Sequence, residues 1–169
     1  EKETNLWGTN YAGHFLLEAK SRGYFVPEDM MDKWIKFQLE NSNKISDNYK
    51  DMCYRLYLLA LAKRPDISSM NLLKESYLSK LDNSDTLLLA GAYKLAGYEG
   101  PAIALFRSTG NSAEKYNEFS GNFGSELRDQ AIILEITALF KNYSRGLSIF
   151  NEVAEKLSTN EWYSTQSIG

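Results

Sequence analysis

Apolar positions along the chain recur at helical spacing, and glycine, proline and polar clusters cut the pattern into short helices. A first helix is expected from a cap at Thr9 to about Arg22, with Gly23 in the left-handed position that follows a helix end. Pro27-Glu28-Asp29 opens a second, to about Glu40, because proline is preorganised for a first turn and acids suit the positive end of the helix dipole. After a polar loop from Asn41 to Asp47, a third runs from about Asn48 to Lys63 and stops before Pro65. Ser68 or Ser69 caps a fourth, to about Leu81. Ser84 or Asp85 starts a fifth that Gly97 ends, and Pro101 opens a short sixth to about Arg107. Between Ser108 and Gly124 the periodicity fails, with glycines at Gly110, Gly121 and Gly124 and scattered Tyr116, Phe119 and Phe123. A seventh helix is expected over about Ser125 to Lys141, an eighth over Ser144 to Leu157, and a ninth from near Asn160.

These helices are of two kinds. The third, with Cys53 and Leu56 to Ala62, is apolar almost all round, and so are the fifth (Leu87 to Ala90, Ala92, Tyr93, Leu95) and the seventh (Ala131 to Leu134, Ile136, Ala138 to Phe140). The second carries one stripe (Met30, Met31, Trp34, Phe37), as do the fourth (Met70, Leu73, Tyr77, Leu81) and the eighth (Leu147, Phe150, Val153, Ala154, Leu157). A helix apolar on every side is buried and a striped one has a solvent face, so odd helices make an inner layer and even ones an outer layer. Inner helices start near Thr9, Asn48, Asp85 and Glu126, a period of roughly 40 residues that suits two-helix repeats. Ala12-Gly13 and Ala90-Gly91 supply small residues where helices can approach closely. Two such layers form a closed toroid or an open superhelix, and burial on every side of the inner helices favours the toroid. The expected fold is all-α: an α/α toroid of antiparallel helix hairpins in two concentric layers, incomplete at about four hairpins. Residues 1–169 are read as a single helical domain of a larger protein. Its outermost inner helices should expose apolar surface, with self-association or fraying as the consequence.

Composition narrows the function without fixing it. A net charge of −3 and a pI near 5.3 leave no basic footprint for nucleic acid. No apolar run approaches the roughly 20 residues that span a bilayer, so no membrane insertion is expected. The chain opens on Glu-Lys-Glu with no signal peptide, and its one cysteine, Cys53, excludes an internal disulfide and a cysteine metal cluster.

Three segments carry a family resemblance. They are Leu6-Trp7-Gly8-Thr9-Asn10-Tyr11-Ala12-Gly13-His14-Phe15-Leu16-Leu17-Glu18-Ala19 with Gly23-Tyr24-Phe25-Val26-Pro27, then Tyr54-Arg55-Leu56-Tyr57-Leu58-Leu59-Ala60-Leu61-Ala62, and Phe123-Gly124-Ser125-Glu126-Leu127-Arg128-Asp129-Gln130-Ala131 with Glu161-Trp162-Tyr163-Ser164-Thr165-Gln166. Together they resemble the helical, thioester-type domain of bacterial alpha-2-macroglobulins, relatives of the complement thioester proteins. The resemblance implies a periplasmic, envelope-associated protease trap whose partners are proteases, met through the full-length protein, and neighbouring domains of the same chain. In thioester members a Cys-x-x-Gln motif forms an internal acyl bond, and the resemblance places it upstream of the matched region. Cys53 is followed by Tyr54-Arg55-Leu56, so it is not that motif.

The residues that could carry chemistry have structural readings beside the functional ones. His14, the one histidine, is a potential general base with no Cys or Ser nearby in sequence, and is read as a packed helix residue. Cys53 shares an apolar stripe with Leu56, Tyr57 and Ala60 and is read as a small buried hydrophobe. Glu18, Asp85, Asp129 and Glu135 lie on or at the ends of inner helices. A toroid glycosidase would need two of them roughly 5–9 Å apart across a cleft, whereas capping, or pairing of Asp129 with Arg128 or Arg55, is the structural account. Trp7, Tyr11, Trp162 and Tyr163 could form a binding platform but are read as packing between hairpins. The stretch from Ser108 to Gly124 is the best candidate contact surface, being too long for a simple connector. No catalytic, cofactor-binding or metal-ligating residue is assigned. The reading is a non-catalytic scaffold, not an enzyme. The alternatives are a TPR-like adaptor, suggested by Ala90 to Tyr98, and a six-hairpin glycoside hydrolase.

Overall fold

A computed structural model describes residues 6–109 and 126–159. The chain forms two compact units, Glu1–Thr109 and Gly110–Gly169. The described residues are helical, with no strand among them, and no described helix is long and apolar enough to cross a membrane.

The first unit contains α1 (Leu6–Ser21), α2 (Glu28–Asn41), α3 (Tyr49–Leu61), α4 (Ile67–Leu72), α5 (Asn83–Leu95) and α6 (Glu99–Ser108). A π turn over Leu73–Tyr77 and a 3-10 turn over Leu78–Lys80 prolong α4. The expected alternation of helix types is strongest at the centre. Every residue from Asp51 to Ala60 in α3 and from Ser84 to Tyr93 in α5 is buried. These two helices pack on each other; α1 lies against α3, α2 against α1 and α3, α4 against α3 and α5, and α6 against α5. Within this unit α1, α3 and α5 thus form a continuous row that α2, α4 and α6 cover. Tyr93, at the end of the buried α5 run, donates its hydroxyl to Asn71 Oδ1 at 2.7 Å and ties α5 to α4. Burial and then nearby Glu75 push that phenol up to about 12, so it stays a donor.

The second unit contributes α7 (Glu126–Leu139) and α8 (Tyr143–Leu157), which pack on each other. Here the expected burial fails on both helices. In α7, Leu127, Ile132, Ile136 and Thr137 are buried, but Ala131, Glu135 and Ala138 are exposed, so the helix is not enclosed on every side. In α8, Ile149 is buried while Leu147, Phe150 and Leu157 of the expected stripe are exposed at 59%, 53% and 49%. A helix has a buried stripe only where a partner covers it, and sequence periodicity does not supply the partner. In α2 the buried face is likewise turned: Met31, Trp34, Ile35 and Gln38 are inside and Met30 is exposed. At the end of the row α1 buries Trp7, Asn10 and Gly13 but leaves Phe15 70% exposed, as expected for an outermost inner helix.

All four odd helices end in the same geometry. Gly23 (φ +82) and Gly97 (φ +84) take the left-handed position that the sequence marks. In each case the glycine N–H and the following N–H return to carbonyls of the last turn, Lys20 and Ala19 or Lys94 and Tyr93, as in a Schellman motif. Lys63 (φ 62) and Lys141 (φ 55) hold the same position with the same pair of bonds, to Ala60 and Leu59 and to Ala138 and Thr137. A side chain there carries a left-handed cost of roughly 1–2 kcal/mol. Lys63→Gly is therefore expected to stabilise the chain by about 0.5–1 kcal/mol, once the extra freedom of glycine in the unfolded chain is discounted. A higher urea midpoint at unchanged slope checks it.

Several helices start at residues other than those the sequence marks, and α3 starts where it does mark. Thr9 does not cap α1, which is already helical from Leu6. Pro27 is the cap position of α2, and its carbonyl accepts the Met31 N–H. Asp66, not Ser68 or Ser69, caps α4 by accepting the Ser69 N–H. Asp82, one turn ahead of the expected start, caps α5 in a capping box with Asp85. Asn48 and Asn142 cap α3 and α8. At α3, α4, α5 and α8 the side chain that accepts an orphan N–H is Asp or Asn; serine caps about as well, so the position of the residue and not its type decides the start.

Candidate functional site

The first unit holds a buried polar chain that joins its first three helices. Gln38 of α2 donates Nε2 to Asn10 Oδ1 of α1 at 3.0 Å and accepts the Arg55 Nε–H of α3 at 2.8 Å. Asn10 Nδ2 donates to the Asp51 carbonyl at 3.1 Å, and Arg55 Nη1 to the Asn41 carbonyl at 2.8 Å. Asn10 and Gln38 are wholly buried and Arg55 is 2% exposed. Burial, partly offset by Asp51, pulls the Arg55 guanidinium below its ordinary value, yet arginine remains charged in proteins. The described Arg55 bonds run to Gln38 and Asn41 of α2. The sequence held a sign of this network, because Gln38 and Arg55 are polar residues inside otherwise apolar helix faces.

A second fixed contact runs between α1 and α3. His14 Nδ1 and the Tyr54 hydroxyl lie 2.7 Å apart, with the rings edge to face at 5.7 Å. This is the packed histidine that the sequence suggested. A third polar contact joins α2 to α4: Ser42 Oγ donates to Asp66 Oδ2 at 2.5 Å and Ser69 Oγ to the same oxygen at 2.6 Å. Burial raises the Asp66 carboxyl, but those two hydroxyls and the Ser69 and Ser68 N–H groups outweigh it and hold Asp66 below the carboxylate norm.

Of the four candidate acids, the side chains of Glu18, Asp85 and Glu135 are among the described residues. Glu18 pairs with Arg22 at 3.5 Å one turn on. Asp85 is buried in the α5 capping box. Glu135 is exposed on α7. The Asp129 side chain lies outside the described residues, as does that of Arg128. Cys53 is free and fully buried. Burial first, then Asp85 and Asp82, push its thiol well up, which leaves it a protonated, inert core residue near neutral pH. Trp7 and Tyr11 stack at 5.3 Å with an 8° interplanar angle. Trp162, Tyr163, the expected ninth helix and residues 110–124 of the candidate contact loop lie outside the described residues. In the second unit, Leu134 and Ala138 of α7 with Tyr143, Gly146, Leu147 and Phe150 of α8 line an apolar groove of about 340 Å³.

The buried odd helices of the first unit, the even helices that cover them and the buried polar connectors between them define an all-helical, two-layered class of domain. Its fold is that of the helical part of bacterial alpha-2-macroglobulins. The chain aligns with the native conformation of Escherichia coli alpha-2-macroglobulin at a TM-score of 0.77 and 22% identity, covering 99% of this chain and 11% of that one. It aligns equally with the same protein activated by porcine elastase, at a TM-score of 0.78 and 20% identity, over 98% of this chain and 16% of that chain. In sequence it is 25% identical to alpha-2-macroglobulin of Escherichia coli strain K12 over a 182-position alignment that covers 97% of this chain. No protein-family model matches the chain. The resemblance to bacterial alpha-2-macroglobulins read from the sequence is thus borne out in both sequence and fold. The chain spans 11% of the length of the curated relative.

Proposed function

We propose that this chain is a non-catalytic scaffold segment of an alpha-2-macroglobulin-like protein of the bacterial cell envelope, serving protease trapping in the periplasm. The single observation that carries this reading is the agreement of fold over 99% of the chain with native Escherichia coli alpha-2-macroglobulin. Structures of that protein activated by trypsin and by elastase share the fold, which supports proteases as partners of the whole protein. Within this reading the odd row continues as the inner layer of an α/α toroid, and residues 1–169 belong to one such domain. The buried chain through Asn10, Gln38 and Arg55 holds the first hairpin on the second, the role of a frame that transmits movement and performs no chemistry.

The full-length protein, incubated with trypsin, should retain the protease in a complex stable to gel filtration only after it has been cleaved. The 169-residue chain alone should hydrolyse neither peptides nor polysaccharides. Hydrolysis by the isolated chain that disappears in Glu18→Gln, or a full-length protein that is cleaved without retaining protease, would refute the proposal.

A further inference from the structure

The first turns of α3 and α5 bring four charged side chains into one place. Lys50 and Asp51 come from α3, and Asp82 and Asp85 from the start of α5, which packs on α3. Asp82 is the solvated member: its side chain is 60% exposed and Lys50 Nζ lies 3.9 Å from its Oδ2. Asp85 is the enclosed member, 5% exposed. Its Oδ2 accepts one long hydrogen bond, from the Asp82 N–H at 3.4 Å. Its Oδ1 is buried with no hydrogen-bond partner.

An ionised carboxylate is acceptor-only, and burying one of its oxygens without a donor costs the full desolvation of that charge. A neutral carboxyl in the same place loses far less. The geometry alone therefore favours a proton on Asp85. The charges around it point the same way: burial acts first, Asp82 next and Asp51 last to raise it, against Lys50 and the Asp82 N–H. The balance lifts Asp85 to about 7. The other elements packed on α5 are α4 and α6, but the charges that act on Asp85 come from α3 and from its own turn. The thiol of Cys53, on the buried run of α3, faces the same acids.

We propose that the buried, unpartnered carboxyl of Asp85 holds a proton in the folded chain, making the α3–α5 seam a proton-sensitive joint that acid tightens and ionisation of Asp85 loosens. When the first turn of α5 opens, water solvates the carboxyl, its O–H bond breaks heterolytically, and the proton passes to solvent. The packed state then binds one proton more than the opened state from the ordinary aspartate range up to about pH 7. Stability of the seam accordingly falls as pH rises through that window and levels off above it. This inference stands apart from the proposed function, since it concerns the chain's own packing.

Cys53 reports on the joint because it is wholly buried on α3. Its labelling rate in native buffer, divided by that of the urea-unfolded chain at the same pH, measures opening free of intrinsic thiol ionisation. For the wild-type 169-residue chain this ratio should rise by up to about tenfold per pH unit between about pH 5 and 7. In Asp85→Asn, which is neutral at every pH, the rise over that window should fall to less than about twofold. A wild-type ratio that is flat, or an Asp85→Asn slope equal to the wild type, would overturn the inference. Should Asp85→Asn not fold, carbon-13 labelling of the aspartate carboxyls in the wild type decides instead. One carboxyl titrating near pH 7 supports the joint, and all of them titrating in the ordinary range overturns it.

Discussion

Gly13→Ala is expected to destabilise the first unit by up to about 3 kcal/mol, although alanine is the better helix former. A Cβ at position 13 would stand 2.0 Å from Cε2 of Trp34 and 2.2 Å from both Cζ2 and Nε1. The indole cannot yield by a small rotation, because it is buried and its Nε1 donates to the Thr9 carbonyl at 2.9 Å. The ring must leave or α2 must move off α1. Overpacking of this kind costs roughly 1–3 kcal/mol, and the lost hydrogen bond adds about 1. The intrinsic gain of alanine over glycine, about 1 kcal/mol, offsets only part of this. For a unit of this size the melting temperature should fall by roughly 10–20 °C. The cause is separable from general fragility of α1. In a Trp34→Ala background the obstructing ring is gone, so adding Gly13→Ala should be neutral or stabilising. A further loss there would show that the collision with Trp34 is not the reason.

Gln38→Leu should cost a comparable amount, about 3–5 kcal/mol, by a different route. Leucine fills nearly the same space, so packing is kept while the polar chain loses its middle. Arg55 Nε then lacks its 2.8 Å acceptor and Asn10 Oδ1 its 3.0 Å donor, both inside the protein. Removing one partner of a buried charged network is expensive because the charge that remains is still desolvated. The order of effects tests the explanation. Replacing Asn10, Gln38 and Arg55 together by apolar residues should be less destabilising than Gln38→Leu alone, since no orphaned polar group remains. Additive losses in urea titrations of the single, double and triple variants would contradict it.

Much of the fold was legible in the chain because it depends on local chemistry. The periodic apolar positions of α3 and α5 state that both helices are enclosed, and ten consecutive residues of each are buried. Gly23 and Gly97 mark helix ends because a left-handed residue favours glycine strongly. The same turns at Lys63 and Lys141 carry no such sign. There the tertiary packing of each hairpin imposes the left-handed residue on a side chain that resists it. The candidate sites divide in the same way. Inert burial of Cys53 follows from its stripe, and the absence of Cys-x-x-Gln around it is a matter of reading the sequence. That His14 meets Tyr54, 40 residues on, could not be read from spacing.

The sequence by itself determined an all-helical chain, the places where most helices break, and a resemblance to bacterial alpha-2-macroglobulins. These rest on interactions within a few residues of one another, or on residue identity alone. Tertiary structure decided which faces are used. It turned Met30 outward and Gln38 inward, left Leu147 and Phe150 of α8 exposed, and placed the indole of Trp34 over Gly13. It also set Asp85 beneath the α3–α5 seam with an oxygen that nothing solvates. Amphipathicity states that a face wants a partner, but only the three-dimensional packing supplies one, and the cost of a buried polar group depends on that supply.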